Sequence, residues 1–121
     1  MTKIRNSKHY DLEERTLAFA KRVRAFVNKL SKSITNLEDG KQLVKASGSV
    51  RSNYIEANEA LSKKDFIMRI KICRKESKEI RYWLRLIDTN DDHQQEKDRD
   101  ALIIEATELM NIFGAILQKS Q

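Results

Sequence analysis

The 121-residue chain has no proline, three glycines and a single cysteine. Proline breaks helices and is frequent in loops, so its absence suits long helices joined by short turns. One thiol, Cys73, excludes an internal disulfide and fits a reducing compartment. Aromatics make up only 7% of the residues, and the β-branched side chains do not gather into alternating runs, which argues against strands. No apolar run approaches the ~20 residues needed to span a membrane. The polar stretch Met1–Lys8 lacks the apolar core of a secretory signal, so a cytoplasmic location is expected.

What the chain has in quantity is charge. Charged residues make up 35%, with 24 Lys and Arg against 18 Asp and Glu, net +6. The length fits one domain, residues 1–121, around one continuous core.

Four segments carry helical apolar periodicity. Leu12, Thr16, Phe19, Val23, Phe26 and Leu30 recur in steps of four and three, widened by Ala20 and Val27; Asp11 and Glu14 resemble a capping box. Leu43, Ser47, Val50, Tyr54, Ala57 and Leu61 keep the same rhythm in a second segment, with Thr35 or Asn36 as its cap. Gly40 and Gly48 fall inside it, and Ser47-Gly48-Ser49 is expected to mark a close helix crossing. The third segment is the cleanest: Phe66, Ile70, Cys73, Ser77, Ile80, Leu84 and Ile87. Ser62 with Asp65 gives a capping box, and Leu61 with Phe66 a hydrophobic staple, so the turn before it is expected to take one or two residues. The fourth segment carries Leu102, Ala106, Leu109, Phe113 and Ile116, with Ile103, Ile104, Met110, Ile112 and Leu117 beside them. Helices are expected over about 12–31, 37–61, 63–88 and 94–118. With short connections they form an all-α, antiparallel up-down-up-down four-helix bundle.

The motifs of catalysis and metal binding are missing. Di-metal bundles need Glu-x-x-His pairs facing the core, but the only histidines are His9 and His93, and Asn90 stands three residues before His93. Asp88, Asn90 and Asp92 imitate the start of a calcium loop, yet His93 replaces its glycine and Arg99 its final glutamate, so helix capping is the simpler reading. Cys73 lies on the core stripe, where it acts as a small hydrophobe. Ser47 and Ser77 also sit on core stripes, suited to close packing and a bond to the preceding turn. There is no glycine-rich phosphate loop. No catalytic residue, cofactor or metal is expected.

The charges are concentrated. Residues 1–33 and residues 63–87 each hold nine basic and three acidic side chains, net +6; residues 34–62 are at −1 and residues 88–121 at −5. On the third helix Lys64, Lys71, Lys78 and Arg85 repeat every seven residues, flanked by Arg74, Lys75 and Arg81. On the first, Arg15, Arg22 and Lys29 do the same. Such ridges suit several phosphates of a nucleic acid, with binding that weakens steeply in salt; the bland reading is a solvated helix face. A second stripe beside the core of the third helix, Arg69, Ile72, Glu76, Glu79, Trp83 and Leu86, mixes apolar and ionic groups. Trp83 and Ile72 need a cover that one bundle's main core does not supply, which favours self-association.

The run Val44-Lys45-Ala46-Ser47-Gly48-Ser49-Val50-Arg51-Ser52-Asn53-Tyr54-Ile55-Glu56-Ala57, the run from Phe66 to Glu79, and Tyr10-Asp11-Leu12-Glu13-Glu14-Arg15 resemble the bacterial four-helix-bundle proteins encoded in intervening sequences of 23S rRNA genes. The likeness spans about residues 10 to 118. It implies a ring-like homopentamer without known enzymatic activity. It assigns motif positions to Ser47, Asn53 and Glu56, and further ones to Glu76 and Glu79; with Arg69, Ile72 and Trp83 of the second stripe these are the expected assembly residues. That family in turn resembles the accessory protein of diversity-generating retroelements, a basic pentamer that works with a reverse transcriptase and RNA.

Two functions remain open from the sequence. One is a homo-oligomer that binds RNA or DNA backbone through the ridges on helices one and three. The other is an oligomeric scaffold that docks a protein partner, such as a reverse transcriptase. An enzyme would have to use Glu56, Glu76 and Glu79, for which salt bridges with Arg51 or Arg69 are the simpler expectation.

Overall fold

The structure, a computed structural model, describes residues 12–121. It contains four α-helices: α1 (Leu12–Asn28), α2 (Ile34–Asn58), α3 (Lys63–Leu86) and α4 (His93–Ser120). Each helix packs on its neighbours in the chain, and α1 closes the ring against α4. Helices α1 and α3 sit diagonally across the core, as do α2 and α4. This is the antiparallel four-helix bundle that the periodicity and short connections predict. The expected cap at Asp11, His9 and the Met1–Lys8 stretch lie outside the described residues.

The expected stripes form the core. Leu12, Phe19, Val23, Phe26 and Leu30 meet Leu43, Val50 and Ala57, then Ile70, Ile80, Leu84 and Ile87, and finally Leu102, Ala106, Leu109 and Phe113. Truncating a fully buried isoleucine such as Ile80 to alanine costs about 2–5 kcal/mol, because the cavity adds to the lost transfer energy. The polar groups on these stripes are satisfied locally. Thr16 Oγ1 donates to the Leu12 carbonyl at 2.7 Å, Ser77 Oγ to Cys73 at 2.8 Å and Ser47 Oγ to Val44 at 3.2 Å. Each hydroxyl therefore enters the core without an orphaned donor.

The helix ends depart from the periodicity in instructive ways. α1 stops at Asn28, where Lys29 and Leu30 turn back with short bonds to Phe26 and Val27. α2 begins at Ile34, earlier than position 37. Its cap is Ser33, whose hydroxyl accepts from the Asn36 N–H, and neither Thr35 nor Asn36 fills that role. Asn36 is instead buried and ties α2 to the α3–α4 turn. Its amide donates to the Asp88 carbonyl at 2.9 Å and its oxygen accepts from the Asp88 N–H at 3.0 Å. α2 ends at Asn58, so Glu59 to Ser62 form a longer turn than one or two residues. Leu61 is fully exposed there and makes no staple with Phe66, although Ser62 does cap α3. α3 ends at Leu86, two residues short of the expected 88. α4 starts at His93 and runs to Ser120, capped by Asp92, which confirms the capping role of the Asp88–Asp92 turn. Asn90 and Asp91 turn that corner in the left-handed region, with φ of 54° and 60°, a conformation that asparagine and aspartate tolerate best after glycine.

The close crossing is also displaced. At Gly48 the nearest group to an added Cβ is the Arg24 guanidinium, 3.9 Å away, which is ordinary contact. Gly40 is the tight point, where a Cβ would lie 2.9 Å from Val27 Cγ1. The valine is stiff at χ1 and cannot swing aside. Glycine at position 40 is what lets α1 and α2 approach there.

A candidate nucleic-acid interface on the third helix

α2 and α4 cover the two flanks of α3, and Ile70, Cys73, Ser77, Ile80 and Leu84 point inward. One outward strip remains. Along it, in steps of four and three, stand Lys64, Met68, Lys71, Lys75, Lys78, Tyr82 and Arg85, all exposed. A seven-residue repeat advances about 10.5 Å along a helix and returns to nearly the same face. The arithmetic of the sequence therefore becomes a ridge that winds only slowly around the helix, by about 20° per repeat.

Beside the ridge lies a groove of about 1000 Å³ between α3 and α4. Lys71, Arg74, Lys75, Lys78 and Arg81 form its α3 wall, and Met110, Asn111, Gly114 and Gln118 lie on the α4 side. Its α4 wall carries no acidic side chain: the last acidic residue of α4 is Glu108. Among the described residues, none of the five cations forms an ion pair. Arg74 passes over Gly114, where a Cβ would meet its Nε at 3.6 Å, an ordinary contact. Arg81 reaches Met110 Sδ at 3.3 Å, and its buried Nε has no hydrogen-bond partner. A wall of cations without ion pairs, facing uncharged side chains, presents a positive field that no carboxylate side chain of the opposite wall offsets.

The ridge expected on α1 meets a different fate. Arg15 donates to both oxygens of Glu105, at 2.7 and 2.9 Å, and to Glu108 at 2.7 Å. The hydrogen bond to Glu105 is the largest cause that raises its guanidinium pKa above the ordinary value. Arg15 is thus consumed by the bundle and is withdrawn from the candidate interface. Arg22 and Lys29 remain exposed, but Asp98 shares the shallow pocket that they line. The diagonal placement of α1 and α3 puts these two cations on another side of the molecule. The ridges of helices one and three do not form one surface.

The α2–α3 flank carries the expected assembly positions. Asn53 Nδ2 donates to the Ser49 carbonyl at 3.0 Å, and Asn53 Oδ1 accepts from Arg69 Nη1 at 3.0 Å. Ser47 is buried, whereas Ile72, Glu76, Glu79 and Trp83 are half-buried. Burial, then the neighbouring Glu79, raises the Glu76 carboxyl above the usual carboxylate range. Glu56 is exposed and, among the described residues, has no ion pair. The expected Glu56, Glu76 and Glu79 bridges to Arg51 or Arg69 do not form: Arg51 Nε donates to the Glu13 carbonyl and Arg69 reaches Asn53 and Asp65. Cys73 is fully buried and burial pushes its thiol up to about 12, which removes the thiolate that chemistry would need.

Two features of the site go beyond the charge pattern. Tyr82 occupies the same register as the lysines, a signal available in the seven-residue spacing. The acid-free stretch of α4 after Glu108 is equally visible in one dimension, but only the packing makes it the opposite wall. Among the described residues, no three His, Cys, Asp or Glu side chains cluster for a metal ion, and no helix is long and apolar enough to cross a membrane.

The family model for the 23S rRNA-intervening sequence protein matches residues 8–115, and the chain belongs to that family. A crystal structure of a protein of unknown function from the S23 ribosomal protein family of Bacteroides thetaiotaomicron is similar in fold. It shares 27% identity and a TM-score of 0.72, over 87% of this chain and 96% of that one. No curated protein matches the chain.

Proposed function

We propose that this family member binds the sugar–phosphate backbone of nucleic acid, RNA foremost, along the α3 ridge and the adjoining α3–α4 groove, without catalysing a reaction. The observation that carries this reading is the groove wall of Lys71, Arg74, Lys75, Lys78 and Arg81, faced by an α4 segment with no acidic side chain. Each phosphate neutralised by a lysine or arginine releases counterions, so affinity should fall log-linearly with salt. Phosphate contacts position a strand without reading its sequence, so binding should be largely sequence-independent. The family description connects these proteins with 23S rRNA, which makes RNA the first ligand to test. Fluorescence anisotropy with a labelled RNA across a salt series is the direct measurement. Binding at low salt that weakens steeply supports the reading; absence of binding at low salt ends it.

A second proposal rests on the α2–α3 flank. Ile72 and Trp83 are half-covered, Arg69 Nε is buried without a hydrogen-bond partner, and Glu76 is partly desolvated. We propose that a second copy of the chain covers this flank, giving a homo-oligomer; the family resemblance suggests a pentamer. Light scattering should report a multiple of the 14.2 kDa chain. Ile72→Glu should lower that mass, and a monomer for the unmodified protein would sink the proposal.

A further inference from the structure

Resting on the backbone-binding reading, we infer that the α3 ridge takes unpaired RNA, with Tyr82 as a platform on which one base stacks. Among the described residues, Tyr82 is the only exposed aromatic, with 57% of its surface accessible. Phe19, Phe26 and Phe113 are buried, and Tyr54, Phe66 and Trp83 are at least half-covered. An aromatic left in water on a helix otherwise lined with lysine lacks any packing role in the bundle core.

Its position is specific. Tyr82 follows Lys78 by about 6 Å along the helix and precedes Arg85 by about 4.5 Å, at the standard rise of about 1.5 Å per residue. A cation thus stands on each side of the ring along the same strip. The ring is also braced: Trp83 meets it in a T-shaped contact with centroids 5.0 Å apart. Trp83 itself packs against the core. A platform held this way loses little freedom on binding, which favours affinity.

The combination discriminates between forms of nucleic acid. Cations on a ridge attract any phosphate backbone. A ring adds affinity only where a base has a free face, because the bases of a duplex are already stacked on one another. Aromatic stacking on single strands tolerates any base, since each has a π-face. The ring therefore adds affinity for single-stranded RNA that the same sequence in a duplex does not gain, with no preference for a particular base.

The test compares a labelled single-stranded RNA with its duplex at one low salt concentration, using the full-length protein and its Tyr82→Ala and Tyr82→Phe variants. Tyr82→Ala should weaken single-strand binding about five-fold or more, the lower end of what removing one stacked base produces. It should leave duplex binding and the slope of affinity against salt unchanged. Tyr82→Phe keeps the ring and should bind as the unmodified protein does. Equal binding of single-stranded RNA by the alanine variant and the unmodified protein overturns the inference, as does an equal drop on single strand and duplex. Those results leave the backbone reading standing. No binding of either RNA by the unmodified protein removes both. Far-ultraviolet circular dichroism guards against unfolding, and the surface position of Tyr82 makes the alanine variant tolerable.

Discussion

On one flank of α4, Arg15 of α1 donates to Glu105 and Glu108; on the other, Arg74 and Arg81 of α3 meet Gly114 and Met110. Both flanks join a basic helix to α4, and both basic helices show cations every seven residues. They differ in which part of α4 each cation meets. The acidic residues of α4 end at Glu108, and its C-terminal part beyond offers amides, small residues and a thioether. The same kind of side chain becomes a structural clasp on one flank and an open positive wall on the other. Formal charge is therefore a poor guide to electrostatic surface: neutralisation by a fitted carboxylate removes a cation from the field, and the field is what a polyanion meets.

The largest test of this contrast uses two double variants with equal change in charge. Lys75→Glu with Lys78→Glu, on the α3–α4 side, should weaken RNA binding by about ten-fold or more. On a single strand it should also flatten the salt dependence by ~0.7 for each phosphate the variant no longer neutralises. Arg22→Glu with Lys29→Glu, on α1, should change affinity by less than about three-fold, because charges beyond a Debye length are screened. Equal drops in the two variants would break the comparison and reduce binding to net charge.

A smaller effect is expected from copying one flank onto the other. Gly114→Glu places a carboxylate opposite Arg74, as Glu105 stands opposite Arg15. RNA affinity should fall several-fold, about the effect of neutralising one fewer phosphate at moderate salt, with circular dichroism showing the bundle intact. An unchanged affinity would mean that Arg74 does not contribute to the wall.

The converse change concerns stability. Glu105→Ala leaves the guanidinium of Arg15, a side chain only 19% exposed, without its bidentate partner. The cost should be about 1–3 kcal/mol in urea unfolding, while RNA affinity stays within about two-fold. A stability change below the lower figure would show that solvent screens the pair.

The smallest effect lies on the α2–α3 flank. Burial holds the Glu76 carboxyl protonated to higher pH in the folded chain than in the unfolded one. That group's contribution to stability is fully present below the ordinary carboxylate pKa and is lost as pH rises through its raised value. Glu76→Gln should therefore raise the melting temperature at neutral pH by on the order of 1 °C. The difference should vanish below pH ~4.

The helices themselves were legible because a helical period of about 3.6 residues leaves its mark wherever one face is buried. Every apolar position on the third stripe from Ile70 to Ile87 is buried. The ends were less legible. Ser33, Thr35 and Asn36 are all competent caps, and the choice fell to Ser33 because Asn36 is drawn into the α3–α4 turn by Asp88. Leu61 and Ile104 continue apolar patterns yet are exposed, Ile104 at 60%, since periodicity states a face without stating whether anything covers it. Of the candidate site, the lysines of α3 are readable as a ridge from their spacing. Tyr82 shares their register, but a tyrosine on a helix is as often a core residue, and only its exposure separates the two.

By itself, the sequence determined that the chain makes four amphipathic helices, that the third carries a continuous basic strip, and that the acid of the fourth stops at Glu108. These are properties of spacing along one helix, and helical geometry converts spacing into faces without outside help. Only the tertiary structure decided that Arg15 is spent on Glu105, that α1 and α3 stand diagonally, and that the acid-free end of α4 walls the groove beside Lys71 and Lys78. Those outcomes depend on which residues distant in the chain become neighbours. Antiparallel packing sets α4's acid-free end beside the stretch of α3 from Lys71 to Arg81, and its acidic middle beside the start of α1.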